Sequence, residues 1–127
     1  YAECGGLLYL SDSIENSEMA GIFSGKCQLT KSLQRFGYVD VKLKQDCLLG
    51  KKGETFTAHE FHKSTADIKG ETLYTVSKTM GEDTWNCGYS YKNAVAGYPH
   101  VNFLGNIDIF RNILRFVEKN RLLNTIC

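Results

Sequence analysis

The chain has 127 residues, 43% of them apolar and 12% aromatic, which suits one compact domain. Its 15 Lys+Arg against 14 Asp+Glu leave a formal charge of +1, too balanced for an electrostatic nucleic-acid footprint. The longest apolar clusters, such as Leu7 to Leu10, fall far short of the roughly 20 residues of a membrane span, so neither nucleic acid nor a membrane is an expected partner.

The segment "YAECGGLLYL" predicts a turn at Cys4 entering a short helix over Gly5 to Leu10, with Leu7, Leu8 and Leu10 on its apolar face. Residues 13–31 are polar and punctuated by Gly21 and Gly25, which predicts mostly loop with a short apolar strip at Ile22 and Phe23. Val39, Val41 and Leu43 then alternate with Asp40, Lys42 and Lys44, the period-two pattern of a strand with one wet face. Within residues 48–54, Gly50 and Gly53 bracket two lysines, as in a hairpin loop, and residues 55–63 form the returning strand. Further β segments are predicted over 72–78, 85–91 and 94–98, with Lys92-Asn93 as the turn between the last two. Near the end, Phe110, Ile113, Leu114 and Val117 fall at helical spacing, Asn106 or Asp108 can cap the start, and Arg111, Arg115, Glu118 and Lys119 form the polar face. The expected architecture is α/β or α+β, without repeats or low complexity.

Five cysteines, Cys4, Cys27, Cys47, Cys87 and Cys127, stand at wide spacing with no C-x-x-C pair, so reduced thiols in a cytoplasmic protein are expected. Cys4 stands apart because two glycines follow it. At a strand-to-helix corner, free helical N–H groups favour a thiolate and lower its pKa, and the N–H of Gly5 can face a developing oxyanion. Against this, a free cysteine is ordinarily a small buried hydrophobe. A sulfur nucleophile needs a base, and His100 in "AGYPHVNF", at the end of a predicted β segment, is the natural partner. A half-buried histidine bonded to a backbone carbonyl is the plainer alternative. His59 and His62 in "AHEFHKS" have H-x-x-H spacing, but residues three apart on a strand face opposite sides, so a shared metal ion is the weaker reading. No phosphate-binding loop precedes Gly25-Lys26, and Trp85, Tyr89 and Tyr91 are read as sheet packing.

Taken together and in order, "YAECGGLLYL", "TAHEFHKS" and "AGYPHVNFLGN" resemble the glutamine amidotransferase domain of the cobyrinic acid a,c-diamide synthase family. The resemblance implies the C-terminal part of a class I glutamine amidotransferase-like domain, flavodoxin-like and three-layered. It also implies that 1–127 is only a fragment, because the first part of the glutaminase domain and an ATP-binding domain would lie upstream. The chain starts on its most suggestive segment without Met or leader, in keeping with that expectation. By resemblance, Cys4 is the nucleophile, His100 its histidine and Gly5 the oxyanion donor. The same resemblance implies that His59, Glu60, Phe61, His62 and Ser64 are pocket-lining positions. Many class I glutaminases carry a glutamate two residues after the histidine, where this chain has Asn102, so a dyad is expected. The implied substrates are glutamine and a corrinoid or related tetrapyrrole acceptor. ATP and Mg would belong to the upstream domain, and this chain would hold no cofactor or metal of its own. A related amidotransferase acting on another tetrapyrrole, such as a nickel sirohydrochlorin, and a non-catalytic interaction module remain alternatives.

Overall fold

The computed structural model describes residues 1–123, so Cys127 lies outside the described residues. Eleven strands and two helices follow in the order β1 (Ala2–Glu3), α1 (Gly5–Leu10), β2 (Ser11–Ile14), β3 (Ser17–Glu18), β4 (Phe23–Leu29), β5 (Arg35–Leu43), β6 (Thr55–His62), β7 (Ser64–Ile68), β8 (Tyr74–Lys78), β9 (Thr84–Cys87), β10 (Tyr89–Tyr91), β11 (Ala94–Gly97) and α2 (Ile107–Leu123). They form three sheets, with strand orders β1-β11-β10, β3-β2-β4-β7 and β6-β5-β8-β9. The architecture is α/β with a C-terminal helix.

An inner strand of the third sheet is β5, whose alternation places Val39, Val41 and Leu43 in the core with Val76 and Leu73. Burying each such side chain stabilises the fold by about 1.5–3 kcal/mol. The opposite face of β5 and β6 carries Phe36, Tyr38, His59 and Phe61, which meet edge to face in an exposed aromatic cluster.

Several predicted elements take a different form. Residues 13–31 are not mostly loop, because β2, β3 and β4 account for much of them. The inner positions of β4 are Phe23, Gly25 and Cys27, so the period of two is present but written in small side chains. Gly25, at φ 151°, admits the β7 main chain at Asp67 and Ile68 into the space a Cβ would fill. The β segment 85–91 divides at Gly88 into two strands in different sheets. There φ is 75° and the Tyr74 ring occupies the position of a would-be side chain, so only glycine lets the chain cross. The strand at 55–63 ends at His62, and the chain leaves the third sheet for the second as β7. The turn at Lys92-Asn93 forms as predicted, closing β10 onto β11 with Lys92 at φ 52°.

The terminal helix forms, but its buried face differs from the predicted one. Ile109, only 5% exposed, lies inward with Ile113 and Phe116 packed against the core, whereas Phe110, Leu114 and Val117 are exposed. Two apolar stripes run along this helix, and Asn112 selects between them by donating from Nδ2 to the Leu49 carbonyl at 2.9 Å. Asn106 occupies the cap position, yet its side chain ties the helix to β6 through Thr57 N–H (3.3 Å) and the Thr57 carbonyl (3.0 Å).

Candidate active site

The site begins at Cys4, which stands between β1 and α1 with φ 47° and ψ −105°. A side-chain-bearing residue in this region carries about 1–3 kcal/mol of strain, and the surroundings must hold it there. They do so through the main chain: Cys4 N–H donates to the Gly97 carbonyl at 2.8 Å, and Leu8 N–H donates to the Cys4 carbonyl at 3.2 Å. Leu7 and Leu8 anchor the helix in the core, and Ser11 ends it by donating its hydroxyl to the Leu8 carbonyl at 2.7 Å.

The two glycines after Cys4 serve different ends. A Cβ on Gly5 would meet nothing within 4 Å, so the space beside the thiol is open. A Cβ on Gly6 would lie 2.9 Å from the Ala2 Cβ, so Gly6 is needed for α1 to lie close against β1. Gly6 is therefore a packing residue and does not open the approach to the sulfur.

The parallel neighbour of β1 is β11, and three residues past its end comes His100. Thiol and imidazole thus both emerge beyond the carboxyl ends of adjacent parallel strands, where open α/β sheets place their ligands. His100 is clamped by its main chain to His59 on β6, with hydrogen bonds of 3.0 and 2.8 Å. Its Nδ1 lies 3.5 Å from Oε2 of Glu3, the residue before the thiol. The other oxygen of Glu3 accepts from Val101 N–H and from the Tyr1 hydroxyl, both at 2.9 Å. Asn102 is turned to a local task, its Oδ1 accepting from Leu104 N–H (3.1 Å) and Gly105 N–H (3.3 Å).

The segment "HEFHKS" does not line one pocket. His59 and Phe61 belong to the exposed aromatic face, while Glu60, His62 and Ser64 point inward. Glu60 is 0% exposed. Its Oε1 accepts from the Trp85 indole at 3.4 Å, and its Oε2 lies 3.5 Å from His62 Nε2. His62 donates from Nδ1 to the Ser64 carbonyl at 2.9 Å and stacks on Tyr98 with ring centroids 3.7 Å apart. The Tyr98 hydroxyl meets the Ser64 hydroxyl at 3.1 Å. A cleft of about 230 Å³ opens over His62, Ser64, Trp85 and Tyr98. Sequence reasoning missed Glu3, Trp85 and Tyr98, although Glu3 directly precedes Cys4 and Tyr98 stands two residues before His100.

The electrostatics of Cys4 reverse one expectation. Burial pushes its thiol up; the Gly5 N–H pulls the other way, and the carboxylates of Glu60 and Glu3 raise it further. The short helix alone does not produce a resting thiolate, so a base must take the proton. Burial also pushes up the thiols of Cys27, Cys47 and Cys87, the last to about 11.

A cysteine on a strained strand–helix corner, with a histidine just past the end of the next parallel strand, is the arrangement a cysteine-dependent acyl-transfer site calls for. Comparison with known proteins agrees: the chain belongs to the CobB/CobQ-like glutamine amidotransferase domain family, which it matches over residues 1–107. Its relatives include the cobyrinate a,c-diamide synthase of Clostridium acetobutylicum, 44% identical over 118 residues, covering 91% of this chain and 27% of that protein. The synthase of the same name from Clostridium tetani is 44% identical over 121 residues, covering 90% of this chain and 28% of that protein. That of Listeria monocytogenes is 36% identical over 126 residues, covering 94% and 28%. The chain therefore spans little more than a quarter of the length of these relatives. Among the described residues no helix is long and apolar enough to cross a membrane.

Proposed function

We propose that the chain is the glutaminase part of an ATP-dependent amidotransferase in the cytoplasm, releasing ammonia from glutamine for the a,c-diamidation of cobyrinic acid in cobalamin biosynthesis. The observation that carries this reading is the backbone of Cys4, held at φ 47° and ψ −105° beside the strand that leads to His100. Family membership and the names of the relatives favour a corrinoid acceptor. On this reading residues 1–127 are the C-terminal part of a class I, flavodoxin-like three-layer domain, and ATP and Mg are bound by a domain upstream of it.

The chemistry follows from the site. His100 takes the Cys4 proton, and the sulfur attacks the side-chain amide carbon of glutamine, with Gly5 N–H facing the oxyanion. The imidazolium returns the proton to the departing ammonia, leaving a γ-glutamyl thioester on Cys4. Water then attacks that carbonyl while His100 takes its proton, and the C–S bond breaks to give glutamate and the thiol. On this reading the cleft lined by His62 and Ser64 takes glutamine, with the buried Glu60 set against His62 and the Trp85 indole. The ammonia reacts with an acyl phosphate formed elsewhere in the protein from ATP and a corrinoid carboxylate.

A glutamine-analogue diazoketone tests the reading. It should label Cys4 stoichiometrically, and in the full-length protein Cys4→Ala should abolish glutamine-dependent amidation while sparing the reaction driven by free ammonia. Random labelling over the thiols, or loss of both reactions, overturns it.

A further inference from the structure

We propose that Glu3 is the positioning residue of the Cys4–His100 pair, supplying from the strand before the nucleophile the carboxylate that the position of Asn102 does not; this rests on the glutaminase reading above. Both carboxylate oxygens of Glu3 are engaged. Oε1 accepts from Val101 N–H and the Tyr1 hydroxyl, each at 2.9 Å, and Oε2 lies 3.5 Å from His100 Nδ1. Val101 N–H can only donate, so it holds one end of the carboxylate and turns the other to the imidazole. Glu3 sits on the strand that ends at Cys4, and the main chain of His100 is fixed independently by His59. The carboxylate therefore refers the ring to the same strand that aims the sulfur.

The consequence is a choice of tautomer. A carboxylate facing Nδ1 favours the proton on that nitrogen, which leaves the lone pair on Nε2, the nitrogen able to take the thiol proton. The imidazolium formed on that transfer has its countercharge in place. Asn102 cannot do this, because its Oδ1 is occupied by Leu104 and Gly105 N–H groups and its side chain carries no charge. Glu3 could instead be no more than a clip between β1 and the 98–101 strap, and an experiment on its charge separates the two.

In Glu3→Gln the new amide keeps its oxygen on Val101 N–H and turns its NH2 toward His100, which forces the ring proton from Nδ1 to Nε2. In the full-length protein, kcat for glutamine hydrolysis should fall by roughly a hundred- to ten-thousandfold, with KM for glutamine held within about threefold. The 15N spectrum of the His100 ring should move from the Nδ1–H to the Nε2–H tautomer, a change that a mere clip would not produce. Glu3→Asp, which retains the charge, should keep more of kcat than Glu3→Gln. Wild-type kcat in Glu3→Gln, or an Nε2–H ring in the unaltered protein, overturns the proposal, and the latter decides even if Glu3→Gln does not fold. Cys4→Ala separates this from the underlying reading: glutamine-dependent ammonia release that survives Cys4→Ala sinks the glutaminase itself, whereas its loss alongside an active Glu3→Gln sinks only the role of Glu3.

Discussion

His59 and His100 are joined by a reciprocal pair of main-chain hydrogen bonds, 3.0 Å from His59 N–H to the His100 carbonyl and 2.8 Å in return. A residue that looks like a ligand or a substrate contact thus positions the proposed base through its backbone. Its ring lies between Phe36 and Tyr38, with centroids 5.7 and 5.3 Å away.

His59→Ala should therefore lower stability by about 1 kcal/mol, the worth of its aromatic contacts, and leave glutamine hydrolysis within about threefold of the unaltered protein. His59→Pro deletes the N–H that holds His100 and should abolish hydrolysis. Urea unfolding and ammonia release measured on both variants check this, and a large catalytic loss in His59→Ala would show that the imidazole itself acts in the site.

The pH dependence of Cys4 reports on Glu60. The carboxylate raises the Cys4 pKa by opposing a second negative charge, so Glu60→Gln removes a raising influence and the pKa falls. The iodoacetamide alkylation profile of Cys4 should move toward lower pH, with faster labelling at any fixed pH below its midpoint. An unmoved or alkaline-shifted profile would separate Glu60 electrostatically from the thiol.

The paired glycines make opposite predictions. Gly5→Ala places a methyl group in open space beside the sulfur, so the thermal midpoint holds or rises slightly while kcat/KM for glutamine falls. Gly6→Ala drives a methyl against Ala2, 2.9 Å from its Cβ, and should lower stability by about 1–3 kcal/mol. Calorimetry with steady-state kinetics on the two variants distinguishes them, and an unchanged midpoint in Gly6→Ala would show that α1 can lift from β1 at no cost.

The linkage at Cys87 runs toward alkaline pH. Its pKa is 9.0 ordinarily and is pushed up to about 11 by burial, so above pH 9 the unfolded chain binds fewer protons than the folded one and stability falls as pH rises. The slope between pH 9 and 11 approaches about 1.4 kcal/mol per pH unit for this one group. Urea titrations at pH 8 to 11 should show that decline, and Cys87→Ala should make it shallower, the raised thiols of Cys4, Cys27 and Cys47 supplying the remainder.

Much of the site was legible in local pattern. The glycine pair after Cys4 marks a corner, and the corner appears as a strained turn between β1 and α1. Alternation at Val39, Val41 and Leu43 and the turn at Lys92-Asn93 are likewise local, because a period of two or a left-handed residue is a property of a few neighbours. The strands hidden in 13–31 escaped because Gly25 and Cys27 carry the inner face of β4, and small side chains give no apolar signal.

Chain-local chemistry determined that Cys4 stands at a corner, which strands alternate and that the C-terminal segment is helical, since each depends on side chains within a turn or two of one another. Only tertiary structure decided that β11 runs parallel beside β1, that Glu3 rather than residue 102 faces His100, and which of two apolar stripes on α2 is buried. Those outcomes depend on groups some 60 to almost 100 positions apart, as Asn112 is from Leu49 and Glu3 from Val101, and no spacing in the sequence encodes a hydrogen bond that exists only after the sheets have assembled.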